Sequence, residues 1–146
     1  MTNGYFEIGI YHTQCGHNVG TLWRSAQQLG AAGIFTIGKR YSRMSSDTMN
    51  AGSIIPLRHY ETFEKFLQNR PHGALVVGIE TGGIPLAQFS HPRNAVYLLG
   101  AEDHGLSKAA LAYCNTIVSL QAVRQASYNV AVAGSLVMYD RVFNRK

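Results

Sequence analysis

Residues 98–108 read "LLGAEDHGLSK", an apolar run followed at once by Glu102, Asp103 and His104, with Gly100 before them and Gly105 after. Two carboxylates beside an imidazole can ligate a metal, trade protons as acid and base, or form a polar turn. Adjacent residues do not ordinarily all aim at one ion, and no second ligand cluster stands at a standard spacing. His12, Cys15 and His17 match no common zinc pattern, so no metal is expected. Paired-carboxylate hydrolysis fits poorly, because neighbouring acids on one turn seldom flank a single bond. A solvated turn leading into a helix cap suits the same residues.

Other chemistry is thinly represented. No "GxxxxGK[ST]" loop occurs and no "GxGxxG" follows a strand. A Ser/His/Asp triad stays open, although no serine sits in a "GxSxG" elbow. In "NVGTLWRSAQQLG" (18–30), Arg24 falls off the stripe made by Val19, Leu22, Trp23 and Ala26, as a solvated arginine or a functional one would. Asn18, Ser127 and Asn129 stand at helix starts, where capping alone would account for them.

The elements that must carry these residues alternate in type. Strands are predicted over 5–11, 33–38, 73–80, 94–100 and 116–120, and helices over 18–30, 61–70, 106–114 and 128–143. Asn18 is placed to cap the first helix and Gly30 to end it. Runs such as "GALVVGIE" and "NAVYLLG" are apolar throughout, as in parallel strands covered on both faces. The fold class expected is α/β, an open and mostly parallel sheet flanked by helices. Ligands then bind beyond the carboxyl ends of strands, where "ETGGIP" (80–85), "GAEDHG" (100–105) and "QAVRQAS" (121–127) form three converging loops.

Composition agrees with one globular domain over 1–146. Of the 146 residues 46% are hydrophobic and 14% charged, which excludes a disordered chain. No apolar run reaches the ~20 residues of a membrane span, and no signal peptide is evident, so a cytoplasmic protein without membrane partners is expected. Two cysteines make no disulfide framework. A net charge of +5 favours a polyanionic partner, nucleic acid being the commonest. The final helix, with "VAVAGSLVM" at its centre, is apolar nearly all round and suits a homodimer interface.

Taken together, "NVGTLWR" (18–24), "LLGAEDHGLS" (98–107) and "SYNVAVAGS" (127–135) resemble, in order, the three motifs of the SpoU/TrmH family of RNA ribose methyltransferases, within the SPOUT superfamily. The three stretches span most of the chain. The resemblance implies a C-terminal deep trefoil knot that binds S-adenosylmethionine, a homodimer with shared active sites, and metal-free methylation of a ribose 2′-hydroxyl in tRNA or rRNA. It also implies residue roles. Ile79, Glu80, Thr81, Leu99, Gly100, Val118, Leu120 and Ser127 would line the cofactor, with Gly100 leaving room for close approach. Arg24, Asn18, Glu102, Ser127 and Asn129 occupy the catalytic positions, Arg24 coming from the partner subunit.

Two departures stand out. "IVSLQAVRQAS" has neither the proline nor the glycine usual between the second and third motifs, and no separate RNA-binding extension is expected. RNA would then be held by the dimer surface, with Arg24, Lys39, Arg40, Tyr41 and Arg43 as contacts. A non-catalytic RNA-binding relative and an unrelated nucleotide-binding α/β protein are the alternatives.

Overall fold

The computed structural model describes residues 4–11, 16–38, 54–100, 105–125 and 127–144. Six strands form one sheet: β1 (Tyr5–Tyr11), β2 (Gly33–Ile37), β3 (Leu57–Tyr60), β4 (Leu75–Pro85), β5 (Asn94–Leu99) and β6 (Thr116–Ser119). Their order is β3-β2-β1-β5-β4-β6, and every pairing is parallel. Four helices, α1 (Gly16–Leu29), α2 (Phe63–Asn69), α3 (Lys108–Tyr113) and α4 (Val130–Phe143), complete the fold. The α/β expectation holds. The knot concerns a path through 101–104 and 126, which lie outside the described residues.

The apolar runs behave as buried parallel strands should. Phe6 to Ile10 and Ala95 to Leu99 are buried without a break, because each faces helices on both sides. One core joins the sheet to α1 and α4 through Ile8, Leu22, Trp23, Leu99, Val137 and Met138. A second, on the opposite face, holds Phe35, Phe63, Phe66, Val96 and Leu98. Phe35 stacks on Phe66 with centroids 4.9 Å apart. It lies over Gly9 of the neighbouring strand, where a Cβ would come within 2.3 Å of the ring.

Helix ends follow local chemistry. Gly30 takes φ +84°, and the Ala31 N–H bonds back to the Ala26 carbonyl at 3.0 Å, closing α1 as expected. The Thr62 and Ser107 hydroxyls accept the amides of Lys65 and Ala110 and so start α2 and α3. The sequence reading missed β3, and two boundaries differ clearly from it. Helix α1 begins at Gly16, before Asn18, and β4 runs on through "ETGGIP", which composition marked as a loop. The strand earns its length because Ile84 and Pro85 pair again with β6 after residues 80–83 swing out of register.

A buried polar network ties α4 to the sheet. The Arg141 guanidinium, 2% exposed, donates to the carbonyls of Pro92 and Arg93 and to the Tyr97 hydroxyl. The Tyr97 oxygen also lies 2.7 Å from His91 Nδ1, and His91 Nε2 lies 2.7 Å from Asp140 Oδ2. A donor order running Arg141, Tyr97, His91, Asp140 satisfies each of these contacts and places the imidazole proton on Nε2. Burial pushes the Tyr97 phenol up to about 12, against the opposing pull of Arg141. Burial likewise raises the Cys114 thiol to about 11.

Arg141→Ala should lower unfolding free energy by about 3 kcal/mol or more, read from urea denaturation, since it strips donors from a buried carboxylate–phenol network. The raised groups also set an alkaline limit. Both are held neutral by the fold, so their stabilisation is complete below their ordinary values of 9.0 and 10.0 and is lost as pH climbs towards 11 and 12. Urea midpoints should fall across that window, and Tyr97→Phe should flatten the upper part of the fall.

Candidate functional site

Strands β5, β4 and β6 lie side by side, and one row crosses all three where β5 ends. Ile79 pairs with Leu99 on one side and with Val118 on the other. Three segments chosen from separate parts of the sequence are thereby brought together. Their side chains point into the cores, with exposures of 8%, 2% and 0%, so a ligand beyond this row meets main chain. Leu120 is half-buried against the first core, while Thr81 is exposed.

Residues 80–83 leave the sheet at this row. Gly82 turns the chain at φ +85°. Gly83 settles on β6, where a Cβ would stand 2.4 Å from the Ile117 carbonyl oxygen, and its own carbonyl accepts the Ser119 hydroxyl at 3.0 Å. The Glu80 carboxylate reaches across to accept the Leu106 N–H at 3.1 Å. Gly100 was expected to be small for the sake of a ligand, yet the first demand on it comes from the chain itself. A Cβ there would stand 2.2 Å from the Gly105 carbonyl carbon and 2.5 Å from the Leu106 nitrogen.

The first and third motifs also meet. Asn18 was expected to cap α1. It lies instead inside the first turn, 8% exposed, because the helix starts two residues earlier. Its Oδ1 accepts from Asn129 Nδ2 at 2.9 Å, across 111 residues of sequence. Asn129 caps α4 as spacing implied, its Oδ1 accepting the Val132 N–H at 3.1 Å. Both ends of that amide are therefore engaged. Ser127 is exposed just ahead of it, and Arg24 is exposed on the side of α1 away from the core.

Several residues singled out above, Glu102, Lys39, Arg40, Tyr41 and Arg43 with His12, Cys15, Asp103 and His104, lie outside the described residues. Among the described residues no group of three metal-ligating side chains occurs, and no helix is long and apolar enough to cross a membrane. The sequence reading missed the Glu80–Leu106 contact, since no local pattern links an acid at a strand end to an amide 26 positions on. It missed His91 and Asp140 for the same reason, their pairing spanning 49 residues.

An open parallel sheet with main-chain groups gathered at adjoining strand ends defines a ligand-binding α/β domain. Over residues 5–139 the chain matches the model of the SpoU rRNA methylase family, and it belongs to that family. It is 25% identical, over 95% of its length and 65% of the relative's, to an uncharacterized tRNA/rRNA methyltransferase of Archaeoglobus fulgidus. A TrmH-family tRNA/rRNA methyltransferase of Bacillus subtilis is 26% identical over 85% of this chain and 53% of its own. The chain thus spans about two thirds or less of these relatives. Among solved structures, an AdoMet-bound rRNA methyltransferase from Sinorhizobium meliloti superposes with a TM-score of 0.82 at 26% identity, covering 95% of this chain and 56% of that one. A structure concerned with 2-OH methylation of C/U34 on tRNA shares the fold at a TM-score of 0.78 and 23% identity, over 97% and 91% of the two chains.

Asn129→Ala removes a helix cap and strips a donor from the buried Asn18 oxygen, and should cost about 2–3 kcal/mol in urea unfolding. Asn129→Ser retains the cap without the reach and should recover roughly half of that.

Proposed function

We propose that this chain is an S-adenosylmethionine-dependent methyltransferase acting on a ribose 2′-hydroxyl of tRNA or rRNA. The observation that carries this reading is the row at Ile79, Leu99 and Val118, which gathers main chain from the segments the resemblance assigns to the cofactor. Main chain suits such a ligand, because its adenine edges and hydroxyls pair with peptide N–H and C=O groups without demanding a side chain. Residues 79–81, 99–100 and 118–120 would hold it, with Ser127 at the margin and a trefoil knot shaping the cleft.

When bound, S-adenosylmethionine would supply a sulfonium methyl to the ribose 2′-oxygen, whose proton would pass to the adjoining phosphate. The protein's share is alignment and activation of the hydroxyl. The partner subunit's Arg24 binds the adjoining phosphate and polarises the hydroxyl, a role that spares the cost of deprotonating a guanidinium. Asn18 and Ser127 orient the sugar and cofactor. Asn129, with both ends of its amide engaged, acts by fixing Asn18. Glu102 holds Arg24 or its own loop in place. Lys39, Arg40, Arg43 and Tyr41 grip RNA through phosphate contacts and stacking.

The homodimer has a surface to form on. Val132, Leu136, Tyr139 and Phe143 are all exposed and recur at helical spacing along α4. This ridge is flanked by grooves of about 400 and 560 Å³, one shared with α1 and the other with Leu86, Leu120 and Tyr128. A contiguous apolar ridge of this kind marks an interface. We propose a cytoplasmic enzyme whose catalytic domain, residues 1–146, works without metal.

Arg24→Ala should keep S-adenosylmethionine affinity in calorimetry while methylation of its RNA falls by about 10² or more. Wild-type-like turnover would sink the assignment, and loss of one 2′-O-methyl mark in RNA from a deletion strain identifies the substrate by mass spectrometry. Leu136→Glu should convert dimers to monomers in sedimentation, and mixing it with Arg24→Ala subunits should restore little activity.

A further inference from the structure

Gly105, the first described residue after Gly100, is held from two sides. At Gly105 the chain takes φ +63°, a conformation that favours glycine. A Cβ on Gly105 would stand 2.6 Å from Glu80 Oε2 and 3.0 Å from Oε1, so the carboxylate occupies the space a side chain would need. The same carboxylate accepts the Leu106 N–H at 3.1 Å. On the other side, Gly100 lies against the Gly105–Leu106 peptide, with 2.2–2.6 Å from a would-be Cβ to its atoms. The two glycines permit close packing, and Glu80 is the polar group that locks it.

Glu80 itself sits where β4 departs from the sheet, one residue past the Ile79 pairing row. Its main chain and its side chain thus serve different partners. The main chain belongs to the strand end, whereas the carboxylate is committed to the loop from Gly100 to Leu106. A charge-assisted bond to a main-chain amide is among the stronger single hydrogen bonds available for such a task.

We propose that Glu80 is a positioning residue, whose carboxylate latches the Gly105–Leu106 backbone against β4 and thereby sets the shape of the cofactor-binding strand ends without touching cofactor. The assignment of those strand ends rests on the methyltransferase reading, but the latch itself is a property of the free protein. Gln at position 80 keeps an oxygen acceptor for the Leu106 N–H, while Ala removes it.

Amide hydrogen exchange on the free protein, resolved at Leu106, tests the latch directly. Glu80→Ala should speed exchange there by about tenfold or more, with Glu80→Gln staying within about threefold of wild type. In calorimetry Glu80→Ala should weaken S-adenosylmethionine about tenfold, and Glu80→Gln should recover most of that loss. Unchanged Leu106 exchange in Glu80→Ala overturns the proposal. Equal loss of affinity in Gln and Ala also overturns it, because charge at the cofactor would then be what matters. If wild-type protein fails to bind S-adenosylmethionine at all, the methyltransferase reading falls, and the exchange result still decides the latch.

Discussion

Ile79 is bound into the sheet from both sides, beside Leu99 and beside Val118, and much of the molecule follows from that one row. It is where β5 ends and where β4 goes on beside β6 alone. It is also where β4 loses register with β6, because the next four residues must leave the plane before Ile84 can pair with Val118 again. That excursion puts Glu80 within reach of Leu106 and Gly83 on the Ile117 carbonyl.

The two helices on one face serve the same row from behind. Gly134 lets α4 press against α1 and the sheet, a Cβ there coming 2.5 Å from Leu22 and 3.0 Å from Leu99. The Arg141–Tyr97–His91–Asp140 network then fixes the far end of α4. Apolar contact supplies most of the burial, while the polar chain selects one orientation of the helix over its neighbours. With its inner face committed, α4 turns Val132, Leu136, Tyr139 and Phe143 outward as a single ridge.

Most of this architecture is legible in the sequence. Strand composition identifies β1, β2 and β6, and apolar runs ending in glutamate or glycine identify the first part of β4 and β5. The resemblance, with the rule that ligands sit beyond strand ends, assigns residues 79, 99 and 118 to one site before any geometry is known. What stays hidden is of one physical kind. The Glu80–Leu106 bond, the Glu7–Arg58 ion pair at 2.8 Å and the His91–Asp140 contact join residues 26, 51 and 49 positions apart. Their partners are set by how strands align, which no local spacing encodes. The continuation of β4 escapes for a related reason, since "ETGG" reads as a turn and becomes strand again only through pairing. Asn18 shows the converse error, a residue well suited to capping that is recruited for a distant partner.

That partnership carries a kinetic meaning. Asn18 lies on the first helix and Asn129 at the threshold of the last, 111 residues later. During synthesis α1 is complete long before Asn129 can bring its donor to the Asn18 oxygen. The helix can form early, but its final seating waits for α4. Contacts closed over such spans slow folding, because loop entropy is lost before the contact returns anything. A chain that stalls before residue 129 thus has the six described strands but lacks the Asn18–Asn129 tie between α1 and α4.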